Sequence, residues 1–465
     1  MDGDTMNVKR AKMEENDELI SSTAAPITCK FFVKRKQRYC RLTPPNGEEF
    51  CGQHMPVTSL SSKVIESDDL KINKSNARVP CPLDPKHTVC AWKLHKHLKI
   101  CNAVVKDRPC YIVPGMNAGN VDVVNNDAYK SGAQTEFKLT DIDYETIDKV
   151  VARVNQLYDL HKIDEKIDDL MASHPLLAAE LNNKEYGHET RRHLIQTSTI
   201  LGYLNHYKLY DDKTSYIEYG AGKGQVSYWL AQAITNYPNS NVLLIDRASV
   251  RHKKDNKLDE THAVAVQRIR ADIADFDISA HNLIQKSNKI VGLGKHLCGA
   301  ATDFAIRCTI HGNNAACENG NGPKTIAMLI ALCCHHRCEW KYFVGRDFFM
   351  QNKVSEREFA IMTKMVGWAI CGTGLSREKR KEIEERKESN EHTDEAIQEE
   401  NVDANITNKR DRHQRKEIGQ KCKRLIDFAR ICYLEQNGFK CSLKRYVSSD
   451  ITLENVCLVA LHETK

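Results

Sequence analysis

Ala331 to Cys338, ALCCHHRC, packs three cysteines and two histidines into eight residues, directly behind the apolar run TIAMLI. Thiols and imidazoles bind soft metals, act as nucleophiles and carry protons. The stretch therefore has three readings: a zinc site, the buried end of a strand, or part of an active site. A metal needs four ligands converging on one ion. Cys333 and Cys334 point to opposite faces if the strand continues through them, which favours the active site. His335 and His336 are then candidates to hold or move a proton. A second cluster, Lys295, His296 and Cys298 in KIVGLGKHLCG, follows another apolar run.

Two upstream sets have metal-ligand spacing. Cys81, His87, His97 and Cys101 form C-x5-H-x9-H-x3-C, with the last pair four residues apart on one face of a helical pattern and the first pair around a proline-containing loop. Two thiolates and two imidazoles make a closed tetrahedral zinc site, which holds a fold and does no chemistry. The spacing resembles that of the CHHC fingers of minor-spliceosome and gametocyte-specific proteins, and leaves Cys90 and His95 unassigned. Cys29, Cys40, Cys51 and His54 form C-x10-C-x10-C-x2-H. Between them Lys34, Arg35, Lys36 and Arg38 interleave with Phe32 and Tyr39, a mixture suited to phosphate contact and base stacking; the alternative is a solvated charge run. Segments this short need a staple in place of a core, so two structural zinc ions are expected.

The chain has 465 residues, 41% of them hydrophobic, and 18 cysteines. That length suits a soluble protein of several domains. The N-terminus reads as a disordered tail over residues 1–26 and not as a secretory signal, so the thiols point to a reducing compartment, cytoplasm or nucleus. The longest apolar run, Ile326 to Cys334, is far short of the about 20 residues of a membrane helix. No membrane partner is expected. Net charge is +6, yet residues 27–56 carry +4 and residues 78–108 carry +5, leaving −3 for the remainder. The basic surface lies in the two cysteine modules, as for contact with nucleic-acid phosphate.

Residues 105–140 lose periodicity and read as a linker. Residues 141–190 carry an amphipathic helical stripe at Ile147, Val150, Val151, Val154, Leu157 and Tyr158. From residue 191 to 465 strands and helices alternate, which predicts an α/β, Rossmann-like sheet with its ligand at the strand ends. SYIEYGAGKGQVSYWLAQAI is a strand, a glycine turn and a helix, with Glu218, Gly220, Gly222 and Gly224 in the turn. Gln225 and Ser227 stand where a dinucleotide fingerprint needs its third glycine, so NAD is disfavoured. Asp246, ending the next strand, suits the ribose diol of S-adenosylmethionine, and Asp272 would stand beside its adenine. A structural turn alone would explain the glycines but not both acids.

Taken together, both fingers, IEYGAGKG, GKHLCGAATDFAIRC and IALCCHHRCEW resemble the eukaryotic tRNA ribose 2′-O-methyltransferases that modify the fourth nucleotide of the acceptor stem. The likeness runs from Cys29 to about Leu461. It implies a methyltransferase domain behind two zinc modules (27–56 and 78–104), with tRNA rather than DNA as partner. It departs at residues 376–417, where 24 of 42 residues are charged and six are apolar, which reads as a disordered insertion. The candidates for base or hydroxyl orientation are His296, Lys295, His335 and His336, in that order. Two alternatives stand beside this: pyrimidine C5-methylation with Cys298 as nucleophile, although no Pro-Cys dipeptide is present, and a finger protein with a decayed, inactive domain.

Overall fold

The computed structural model describes residues 28–33, 38–44, 47, 49–51, 54, 78–101, 108–119, 137–250, 252–258, 262–318, 320, 322–370 and 410–463. The chain forms two compact units, residues 1–108 and 109–465. In the first, Phe32–Val33 pairs antiparallel with Arg38–Tyr39. Arg78–Cys81 pairs likewise with Asp84–Cys90, ahead of a helix at Leu94–Ile100. Among the described residues of this unit, the buried hydrophobic ones are Cys29, Cys40, Cys51, Cys81 and Cys101. The interior is made of thiols, as expected where metal replaces an apolar core.

The second unit is built on strands β1 (Ile167–Asp169), β2 (Thr214–Tyr219), β3 (Asn241–Ile245), β4 (Ala265–Ile269), β5 (Lys289–Cys298), β6 (Lys324–Cys333), β7 (Phe439–Arg445) and β8 (Val456–His462). They form one sheet in the order β1-β7-β8-β6-β5-β2-β3-β4. Pairing is parallel from β6 through β5, β2 and β3 to β4, and β8 is inserted antiparallel between β6 and β7. Every residue of β2 and β3 is buried, because helices cover both faces of a parallel sheet. The order reverses between β2 and β5. In doubly wound sheets such a switch point is where ligands bind, at the C-terminal ends of the strands.

Helices α1 (Tyr144–Leu160), α2 (His188–His206), α3 (Gln225–Ala233), α4 (Ala300–Glu318), α5 (Glu356–Met365) and α6 (Arg412–Gln436) flank the sheet. Asp143 caps α1, accepting a hydrogen bond from the Thr146 N–H, and the six apolar residues of its stripe are buried. The helix packs against α6. Residues 141–190 also supply β1, which pairs with β7, so they are part of the sheet unit. Among the described residues, no helix is long and apolar enough to cross a membrane.

Two expectations change. The linker reading fails for residues 109–119, which are strapped onto the segment after β4. The N–H of Val113 donates to Asp275 O at 2.8 Å, and that of Asn117 to Ala274 O at 2.8 Å. Asn117 is fully buried, and its Nδ2 donates to the carbonyls of Ile273 and Phe276. Its Asn and Gly content makes bonded turns here, not slack chain. The charged insertion also ends sooner than expected, because Asp411 caps α6 by accepting from the Gln414 N–H and Arg410 pairs with Asp148. The stretch 376–409 lies outside the described residues, as do residues 1–26 and 120–136.

Candidate active site and metal centres

In the first finger Cys29 Sγ lies 3.5 Å and Cys51 Sγ 3.4 Å from His54 Nδ1, and Cys40 Sγ lies 3.9 Å from Cys51 Sγ. In the second, Cys81 Sγ and Cys101 Sγ are 3.6 Å apart, His87 Nε2 and His97 Nε2 3.1 Å, and the mixed pairs 3.2 and 3.5 Å. A tetrahedral zinc with ordinary bond lengths spaces sulfurs about 3.8 Å apart, nitrogens about 3.3 Å and mixed pairs about 3.5 Å. Both sets fit that ion with no chain movement. Cys90 and His95 stay outside, as the spacing implied.

At the end of β2, Gly220, Gly222 and Gly224 all take the left-handed conformation, with φ of 63°, 52° and 71°. A Cβ at Gly224 would sit 2.6 Å from Asp255 Oδ1, and one at Gly220 would sit 2.9 Å from Leu297 Cδ2. At Gly222 nothing lies within 4 Å, which leaves room beside the backbone for a ligand. The turn is held by its neighbours: the Gly222 N–H donates to Asp246 Oδ2 at 2.7 Å, and Arg268, paired twice with Asp255, donates to Gly222 O at 3.0 Å. Asp246 Oδ1 accepts from the Ala248 N–H. Each oxygen of this half-buried carboxylate keeps a further lone pair. Asp272 accepts from the Ala274 N–H, with its other oxygen 3.8 Å from Arg247 Nη1. An open glycine turn with an adjacent strand-end carboxylate fits the ribose and methionine ends of S-adenosylmethionine. Glu218 is buried, its Oε2 accepting from the Ser227 N–H (2.9 Å) and Oγ–H (2.5 Å). Burial pushes its carboxyl up. It supports the turn from inside, where α3 begins.

The two candidate clusters are neighbours. Leu297 lies opposite Leu332 and Cys298 opposite Cys333 in the parallel pair β5–β6. Gly299 (φ 57°) lets KHLCG press on CCHHRC, since a Cβ there would sit 2.6 Å from the Arg337 carbonyl carbon. Gly220 rests on Leu297, so the glycine turn touches the same cluster. Cys298 Sγ is 3.2 Å from Cys334 Sγ, and with Cys333 the three sulfurs all lie within 4.8 Å of one another. Contact with the Cys333 and Cys334 thiols holds the Cys298 thiol well below its usual range. Lys295 is buried, with Nζ 3.5 Å from Thr197 Oγ1, and burial brings it down to about 8 against the opposing pull of Glu218. His296 is exposed, its ring edge-on to His193 at 5.7 Å. Partial desolvation of the ring and the Lys295 charge push it down. His336 is exposed as well.

His335 is a correction. It has no exposed surface, and its Nε2 bonds Asp427 Oδ1 at 2.6 Å. Asp427 also accepts from Arg424 at 2.8 Å and lies 3.7 Å from Arg430, which in turn pairs with Asp303 at 2.8 Å. This network ties the turn after β6 to α4 and α6, so His335 positions the cluster and reaches no substrate. His193, Thr197, Arg268 and Asp255 went unnoticed in the sequence. Thr197 meets Lys295 across 98 residues, and no local pattern signals such a pairing.

Comparison with known proteins places the chain. Residues 195–461 match the family described as Methyltransferase TRM13, residues 27–55 the CCCH zinc finger in TRM13 protein, and residues 78–102 the U11-48K-like CHHC zinc finger. The chain is 31% identical to the Mus musculus protein named tRNA:m(4)X modification enzyme TRM13 homolog, over 93% of this chain and 94% of that one. The Homo sapiens protein of the same name gives the same figures. The Saccharomyces cerevisiae tRNA:m(4)X modification enzyme TRM13 is 29% identical over 97% of each chain. With half the chain and more matched by one family, and both fingers matched beside it, this protein belongs to the TRM13 methyltransferase family.

Proposed function

We propose that this protein transfers a methyl group from S-adenosylmethionine to the ribose 2′-hydroxyl of the fourth nucleotide in the tRNA acceptor stem. The tRNA is supported by the names of the relatives and by the basic charge of the two finger modules. One observation carries the chemistry: the glycine turn, KHLCG and CCHHRC meet at the C-terminal ends of β2, β5 and β6. Reduced thiols at both fingers fit a protein of the cytoplasm or nucleus, and no disulfide joins any of the described cysteines.

When bound, S-adenosylmethionine supplies an already activated methyl group. The protein has two remaining tasks, to hold the ribose oxygen in line and to take its proton. Asp246, Asp272 and the turn around Gly222 hold the cofactor. His296, exposed at the end of β5, accepts the hydroxyl proton on a ring nitrogen, and His336 lines the adjoining strand end. His193 stands edge-on to the His296 ring at 5.7 Å and orients it.

The test is incubation with labelled S-adenosylmethionine and unmodified tRNA, followed by alkaline hydrolysis. A 2′-O-methyl group removes the nucleophile that alkali uses, so label is expected in one resistant dinucleotide step at position four. Label in ordinary mononucleotides would show base methylation, and tRNA binding without label would show a binding protein. Either result overturns the proposal.

A further inference from the structure

We propose that Cys298, Cys333 and Cys334 form a third metal site, taking a thiophilic divalent ion such as zinc at the joined ends of β5 and β6. Consecutive cysteines on a continuing strand would diverge and could not share an ion. The strand does not continue: β6 stops at Cys333, and Cys334 turns into the left-handed conformation, with φ 52° and ψ 38°. That region is uncommon for a residue with a Cβ, and here it brings the Cys334 thiol to the side of its neighbour. Cys298 arrives from the next strand, in register with Cys333.

The three sulfurs lie within 4.8 Å of one another, the tightness seen in both finger sets. Zinc–thiolate sulfurs stand about 3.8 Å apart, so the 3.2 Å between Cys298 and Cys334 asks for side-chain adjustment on the order of half an ångström. Cys333 is buried while Cys298 and Cys334 are half-buried. The half-buried pair leaves the fourth coordination position on the solvent side. Three thiolates outweigh the charge of a divalent ion, which makes it a poor acid for a bound hydroxyl. Its task is to clasp the two strand ends that carry the transfer centre. This inference does not rest on the identity of the methyl acceptor.

The test counts metal on the full-length protein, reduced, loaded with zinc and freed of excess by gel filtration. Three zinc ions per chain are expected for the parent, matching the three clusters. Cys298→Ser and Cys334→Ser should each hold two, and Cys317→Ser, an exposed cysteine outside the clusters, should keep three. Cadmium titration of the parent needs no variant: the thiolate charge-transfer band should saturate at three equivalents. Two zinc ions in the parent, saturation at two cadmium equivalents, or three zinc ions retained by both cluster variants would overturn the proposal.

Discussion

Replacing Gly299 by alanine tests whether close contact between the two strand ends sets the geometry of transfer. Gly299 has φ 57°, so any L side chain carries a backbone penalty of about 1–2 kcal/mol. Its Cβ would also sit 2.6 Å from the carbonyl carbon and the Cβ of Arg337. Backbone cannot swing aside as a flexible side chain can, so the segments must part by close to an ångström, an overpacking cost of about 1–3 kcal/mol. Together these give a loss of about 2–5 kcal/mol in urea unfolding. Separating KHLCG from CCHHRC by that distance should lower single-turnover methylation about 100-fold, while cofactor affinity by calorimetry stays near the parent. Gly222→Ala is the stability control, since φ is 52° but nothing lies within 4 Å. It should carry the backbone term alone, about 1–2 kcal/mol. If Gly299→Ala unfolds with Gly222→Ala and methylates at the parental rate, the contact does not set the geometry.

Asp246→Ala should weaken cofactor binding by about 1.5–3 kcal/mol, because a charged acceptor is lost and the Gly222 N–H loses its partner; equal affinity by calorimetry would place the ribose elsewhere. His296→Ala should cut turnover about 100- to 10,000-fold with tRNA and cofactor binding intact, and an unchanged rate would move the role to His336. Burial pushes His281, packed against Tyr111 and Phe276, below its ordinary value near 6.5. The unfolded chain takes that proton first, so the contribution is present above pH about 6.5 and lost as pH falls below it; His281→Phe should reduce the slope of unfolding free energy there by up to one proton. Deleting residues 376–409 should leave activity within a few-fold, whereas deleting 376–417 removes the Asp411 cap and costs about 1 kcal/mol more in thermal unfolding.

The glycine turn was legible because three left-handed positions in five residues leave few residue types that fit, and the sheet order then places the strand-end acids beside it. Both fingers were legible because each ligand set closes within a short stretch of chain. What the residues could not reveal depends on distant partners. Asn and Gly in residues 109–119 look slack until the carbonyls of residues 273–276 accept their N–H groups. The run from Arg410 to Glu417 reads as solvated charge until Asp148 pairs with Arg410.

His335 shows how the same residue type divides between chemistry and scaffold. Its neighbour His336 is exposed, while His335 is buried against Asp427, 92 residues further on. Once desolvated, each charge in Asp303–Arg430–Asp427–Arg424 depends on its partner, and removing one leaves another buried and unpaired at a cost of about 3–5 kcal/mol. That dependence suits the place it occupies. The network spans α4, α6 and the turn after β6, so a shift of any one of them breaks bonds in the other two. Residues able to do chemistry at the crevice are thus held in place by residues of the same kind that burial has withdrawn from it.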